Sequence, residues 1–326
     1  MIRPRSRRPV APPRHGPTGE TGAGIALMVL AMALLPVGDT LSKLLTREIA
    51  AIEVVAWRLA MQMLVMLALA AFLRHRLRGR AFSPVLAASG LCSVVSLGCL
   101  VGAFATMPIA TAIAIFFVEP LVLVLLAGPL LGERIGPRRY AAVGVGFIGA
   151  LVVIRPGFAG FTPAALLPLG AAVGYALNVI IMRSAARTRS ALTIQLGATI
   201  YGAVLAAGLV GALAATGLLD VRAFAAAGWI WALIPAAGMV SAATFLLIAE
   251  AFRRSEAGLL APFQYLEIVG ATLLGFVVFG DLPDLVTVAG TAIILASGAY
   301  VVHRERVAGR GEDRATEAGQ SLEAQG

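Results

Sequence analysis

Two glutamates stand where hydrocarbon is expected. Glu267 lies near the middle of the 25-residue run 257–281 (AGLLAPFQYLEIVGATLLGFVVFGD), and Glu119 lies inside 109–133 (IATAIAIFFVEPLVLVLLAGPLLGE). Each run can cross a bilayer as a helix, which takes about 20 residues. A carboxylate at that depth is costly unless it is neutral, paired with a cation or facing a water-filled cavity. A group so placed can exchange a proton or receive a cation, which is the chemistry of coupled transport. The plainer reading is a neutral acid bonded to a carbonyl that a neighbouring proline leaves free. Pro120 follows Glu119 directly, and Pro262 precedes Glu267. Proline removes a backbone donor and frees the carbonyl four residues back, so both runs are expected to bend or break at these residues. Gln264 is one turn before Glu267 on the same face, and Tyr265 adds an aromatic surface with a hydroxyl. Tyr175 and Asn178 are further polar candidates for the cavity wall, and each also reads as a helix–helix hydrogen bond.

A second group is basic. Asp39 and Lys43 are four residues apart, share a helical face and are expected to pair. Arg58 follows in the next apolar run, beside Trp57. One reading is a buried charge network of Asp39, Lys43 and Arg58 that locks helices together. The other has Arg58 or Lys43 receiving an anionic group of a substrate, or forming part of an outer gate.

Other chemistry is poorly supported. Cys92 and Cys99 are seven apart on one predicted helix, roughly 10 Å along its axis. No disulfide spans that distance, and two lone thiols make no metal site. The histidines are His15, His75 and His303, in tails, loops or span ends. There is no nucleophile–base motif and no phosphate-binding loop, so no cofactor or metal is expected and primary ATP-driven transport is not. An intramembrane enzyme would have to use Glu119 and Glu267 alone, and the chain is read as no enzyme.

The elements that must position these residues are spans. The chain is 59% hydrophobic and 13% charged, too apolar for a water-soluble body. Ten apolar runs are expected to be helices: 24–45, 52–73, 83–106, 109–131, 139–154, 163–182, 191–216, 227–251, 257–279 and 285–302. The basic, proline-rich residues 1–23 and the polar residues 304–326 read as disordered tails. A signal peptide is the rival for the N-terminus, but the first apolar run continues past a usual h-region. Of the 26 Lys and Arg residues, 21 fall in the tails and alternate loops of one side. Only Arg47, Arg155 and Arg222 fall on the other, with Lys43 and Arg58 inside spans. That bias places both termini in the cytoplasm. It also accounts for the net charge of +9 without nucleic acid.

The chain repeats itself. A shift of 148 residues carries Phe104 onto Phe252, Glu119 onto Glu267, Gly132 onto Gly280 and Glu133 onto Asp281, although the prolines do not superpose. The loop after 109–131 is basic and inside; its counterpart after 257–279 is acidic and outside. The fold expected is therefore all-α and integral to the membrane, ten transmembrane helices in two inverted five-helix repeats, 24–155 and 156–303. Interrupted spans in matching places of two inverted halves mark a carrier's midplane site.

Three runs make the relationship more specific: LLGERIGPRRYAAVGVGFIGALVVIRPG over 130–157, GDTLSKLL over 38–45 and APFQYLEI over 261–268. With them the chain resembles the drug/metabolite transporter superfamily, and within it the bacterial EamA-type carriers, from residue 24 to 303. The last two runs are similar to the branch of S-adenosylmethionine and riboflavin uptake carriers. The resemblance implies a secondary transporter of a small organic metabolite in the inner membrane, with alternating access around a central cavity. Coupling to protons or exchange would drive it. The same fold also includes exporters of amino acids and drugs, so export is the alternative it leaves open.

Overall fold

A computed structural model describes residues 18–131, 136–156, 162–255 and 257–301. Those residues are helical throughout, with no strand among them: α1 (Thr18–Leu45), α2 (Ala51–Phe72), α3 (Pro84–Phe104), α4 (Ile109–Phe116), α5 (Glu119–Leu131) and α6 (Pro137–Ile154) in the first half. The second half holds α7 (Leu167–Ala185), α8 (Ala191–Ala215), α9 (Ile230–Arg254), α10 (Ala257–Gln264) and α11 (Leu266–Leu274), then α12 (Leu285–Val301). Nine stretches among the described residues are long and apolar enough to cross a bilayer, and α12 is a shorter apolar helix. The protein is a multi-pass membrane protein. The expectation of ten full-length spans is met by nine and this shorter one.

Helix ends follow local chemistry. Ser83 caps α3 by accepting from Leu86 N, and Ser190 caps α8 by accepting from Thr193 N. Pro84 and Pro137 occupy first-turn positions of α3 and α6, where a missing N–H leaves no bond unmade. α1 begins at Thr18, inside the stretch expected to be a disordered tail. An apolar boundary marks where hydrocarbon starts, and backbone hydrogen bonds need not stop there. Residues 1–17 and 302–326, with the expected disordered ends, lie outside the described residues, as do Gly132, Glu133 and Arg134.

Helix pairings come in matched sets. α1 packs on α9 as α7 packs on α3; α2 packs on α9 as α8 packs on α3; α1 meets α11 as α7 meets α5. α2 and α8 pack on each other. The shift of 148 residues also maps α4 onto α10 and Gly90 onto Gly238. Both glycines sit at crossings where backbones nearly touch. A Cβ on Gly90 would come within 2.8 Å of Ala198 O and Gly202 N in α8, and one on Gly238 within 2.3 Å of Met61 Cβ in α2. Small residues at such crossings are what hold helices together in a membrane.

The same two helices anchor loops from the opposite half. At the start of α8, Ser190 Oγ and Thr193 Oγ1 accept from Arg78 N, at 3.2 and 3.0 Å, in the α2–α3 loop. At the start of α2, Glu53 Oε2 accepts from Arg222 N and Ala223 N, each at 3.1 Å, in the α8–α9 loop.

Gly90→Ala and Gly238→Ala should each destabilise the protein by about 1–3 kcal/mol, because the added methyl meets packed atoms. Gly208 and Gly211 of α8 have open space around them. Alanine there should be neutral or stabilising by up to about 1 kcal/mol from helix propensity. Unfolding of the four variants in detergent checks the contrast.

Candidate functional site

The two interrupted spans break at corresponding residues. α4 stops at Phe116 and α5 resumes at Glu119; α10 stops at Gln264 and α11 resumes at Leu266. The shift of 148 residues carries Phe117 onto Tyr265, and these two rings meet at 5.7 Å between centroids. Pro120 falls in the first turn of α5, as a broken helix allows. Pro262 corrects the expectation: it lies inside α10, and the break follows it at Tyr265. The carbonyl it frees belongs to the first turn of α10, so the short helix carries the proline, and the break falls at the residue whose ring meets Phe117.

Each break puts a glutamate at the start of a new helix. Glu119 opens α5 and Glu267 is in the first turn of α11. Unpaired N–H groups make a helix N-terminus favourable for a carboxylate, worth roughly 0.3–1 kcal/mol at an exposed site. The two carboxylates lie within electrostatic reach of each other, and Asp39 is within reach of Glu267. Neither has a hydrogen-bond or ion-pair partner among the described residues; Arg183 is the cation whose charge Glu119 feels.

Tyr175 of α7 stands with them. Its phenol is in electrostatic reach of both glutamates, and its ring meets Phe116 edge-on at 5.7 Å. It is 44% exposed. Gln264 is half-buried at the last residue of α10, immediately before the break.

Other expected wall residues are engaged elsewhere. Tyr265 packs in the core, and its hydroxyl lies 3.1 Å from where a Cβ on Gly298 of α12 would be. Asn178 is buried and joins α7 to α3: its Oδ1 accepts from Ser89 Oγ at 2.5 Å and its Nδ2 donates to Ser93 Oγ at 3.2 Å. These bonds are the helix–helix reading of Asn178. Trp57 is packed edge-on against Phe224 at 6.0 Å and Trp231 at 5.5 Å.

The basic group is arranged differently from expectation. Asp39 does not pair with Lys43. Arg58 lies 3.8 Å from Asp39, and donates from Nη1 to Ser42 Oγ at 2.8 Å and from Nε to Ser241 Oγ at 2.7 Å. It thus ties α2 to α1 and α9. Lys43 instead reaches Asp281 Oδ2 at 2.7 Å and Met107 O at 3.1 Å, over the Phe279 ring at 4.6 Å. The physical reason is that neighbouring helices offer each charge a partner of its own. Asp281 is aimed there by the end of α11, where a wide turn over Gly275–Phe279 is closed by Gly280 at φ 74°. A further buried charge, Glu53, was not anticipated. It is 1% exposed and its Oε1 accepts from Ala50 N at 3.3 Å. The acid three residues into a predicted helix was its one sequence signal.

Set beside known proteins, residues 22–155 match the model of the EamA-like transporter family. Over this segment, which is less than half of the chain, the protein is similar to that family. Similar proteins include a riboflavin transporter of Rhizobium johnstonii, 31% identical, the match spanning 63% of this chain and 65% of that protein. An S-adenosylmethionine uptake transporter of Rickettsia prowazekii is 26% identical over 87% of this chain and 93% of its own length. A pseudopaline exporter of Pseudomonas aeruginosa is 28% identical over 84% and 94%. One crystal structure shares the fold with a TM-score of 0.55 and 20% identity, covering 86% of this chain and 96% of its own. The EamA-like match ends where α6 does, one residue past Ile154.

Arg58→Met should cost about 3–5 kcal/mol, because it leaves Asp39 buried without its cation. Adding Asp39→Asn should recover most of that loss. Thermal unfolding of both variants checks this.

Proposed function

We propose that this protein is a secondary transporter of a small organic solute in the bacterial inner membrane. It works by alternating access of two inverted repeats, 24–155 and 156–303. The observation that carries the reading is the pair of glutamates with no hydrogen-bond or ion-pair partner among the described residues, each at the start of a half-helix and both within electrostatic reach of Tyr175. Half-helix ends meeting at mid-membrane are where carriers of inverted-repeat design bind substrate and coupling ions. The relatives named for riboflavin, S-adenosylmethionine and pseudopaline support a solute of amino-acid, nucleoside-like or vitamin-like size. Glu119, Glu267, Gln264 and Tyr175 are the groups we assign to it, with Glu267 carrying proton coupling. The charge bias puts both termini in the cytoplasm. The chain acts on its solute without changing it, which separates it from an intramembrane enzyme.

On this reading Lys43 and Asp281 close the outer face. They join the two halves across α1 and the end of α11, with Met107 O from the α3–α4 loop as a third partner.

The test is counterflow in proteoliposomes preloaded with riboflavin, S-adenosylmethionine, amino acids or polyamines. Saturable uptake of the labelled form of one of these, recovered chemically unchanged, is the expected result. A non-saturating current, or a modified product, overturns it. Glu267→Gln should keep exchange and lose the response to an imposed pH gradient; an unaltered response would remove Glu267 from coupling.

Lys43→Met and Asp281→Asn should each open the outer face. In a Cys92→Ser, Cys99→Ser background carrying Met107→Cys, an impermeant maleimide should label either variant severalfold faster. The double variant should match the singles, since one pair is broken in all three.

A further inference from the structure

α6 and α12 are bound together. Where α6 ends, Arg155 takes a left-handed backbone (φ 51°) and its guanidinium pairs with Asp284, just before α12. Thr287 N also donates to Asp284 at 2.8 Å. The Arg155 guanidinium, with Thr287, holds the Asp284 carboxyl below the usual carboxylate range. Next along, Gly149 and Gly290 let the backbones meet. A Cβ on either would come within 2.9 Å of the other's carbonyl oxygen. The last tie is Ser297 Oγ, which donates to Ala142 O at 2.5 Å.

Alongside the Ser297–Ala142 tie the two helices line a groove of about 500 Å³, walled by Arg138, Ala141, Val145, Ile293, Ala296 and Tyr300. Its length is apolar and its polar groups gather at the end where α6 begins. Arg138 is exposed there, in the first turn of α6, with no hydrogen-bond or ion-pair partner among the described residues. The unpaired N–H groups of that turn add positive character. Tyr300, at the last turn of α12, puts a phenol at the same level.

We infer that this groove binds an anionic phospholipid, its acyl chain between α6 and α12 and its phosphate on Arg138. The volume suits one chain-sized ligand, within the roughly 300–1,000 Å³ of small-molecule sites. Charge decides the class: a cation beside an apolar slot at the edge of a bilayer selects an anionic headgroup, and basic pockets between helices on the cytoplasmic side take such lipids. A soluble anion would leave the apolar slot unused. Which leaflet supplies the lipid rests on the orientation proposed above; the site does not.

The experiment is binding of phosphatidylglycerol and phosphatidylcholine to the delipidated full-length protein in detergent, read by native mass spectrometry. It needs no transport, so it fails or succeeds independently of the carrier reading. Phosphatidylglycerol should bind wild type more tightly than phosphatidylcholine. Arg138→Gln should weaken phosphatidylglycerol about fivefold, the loss of one basic contact, and leave phosphatidylcholine unchanged. Ala296→Phe, filling the slot from an exposed position, should weaken both. Equal binding of the two lipids to wild type, or unchanged phosphatidylglycerol binding in both variants, overturns the proposal. Full competition by glycerol 3-phosphate would show a headgroup site without a lipid. A dimer that Ala296→Phe dissociates would show that a second copy occupies the groove. Either result also overturns it.

Discussion

Hydrocarbon offers the backbone no hydrogen-bond partners, so a helix can be interrupted in a membrane only where protein or water surrounds the gap. This structure interrupts two and sets the interruptions against each other, Phe117 on Tyr265. The gaps are related by the same shift that relates the helix pairs, so one aromatic contact joins equivalent points of the two halves. Each gap opens a new helix whose free N–H groups meet a glutamate at once. The position of both acids, and the approach of Tyr175 to both, follow from that single constraint.

Buried charge is treated in two opposite ways within the same bundle. Around Arg58 it is neutralised and bonded. Ser42 and Ser241 donate to Gly38 O and Ala237 O of their own helices, which leaves their oxygens free to accept from the guanidinium. Removing one partner of such a cluster strands the other, so it fixes α1, α2 and α9 relative to each other. Glu119 and Glu267 have no such ties among the described residues. The glutamates are half-buried, where Asp39 and Arg58 are fully buried, and the contrast is the ground on which we propose a structural role for Arg58 and a chemical one for the glutamates.

The spans and the repeat were legible because hydropathy and a 148-residue shift need no knowledge of packing. The two glutamates were legible because a carboxylate inside an apolar run stands out. The pairings were not. Spacing brings Asp39 and Lys43 to one face, but a helix face is wide and the deeper acid meets Arg58 while the lysine meets Asp281. The bonds of Asn178 were hidden because its Ser89 and Ser93 partners lie about 85 residues away in sequence. Pro262 misled because proline marks where a helix can break, whereas this one breaks after it, at Tyr265. Glu53 gave no signal beyond an acid at a helix start, because its partners Arg222 and Ala223 lie far off in sequence.

The ties between loops and helix starts say where motion has to occur. Glu53 holds the α8–α9 loop at the start of α2, and Ser190 and Thr193 hold the α2–α3 loop at the start of α8. These are equivalent places in the two halves, served by different chemistry: a carboxylate in one and two hydroxyls in the other. With α2 and α8 packed together, and α3 and α9 packed on them through Gly90 and Gly238, the four helices form a frame tied at both ends. A frame so bound resists rocking within itself. α1 and α7 pack most extensively on α9 and α3 and belong with that frame, so we propose that alternating access falls to the helices that carry the breaks, α4, α5, α10 and α11, moving against it. Lys43 and Asp281 bridge α1, which Arg58 fixes to that frame, and the end of α11, one of the parts that would move, which is why a single part-buried ion pair there can govern a face that the buried Arg58 cluster cannot.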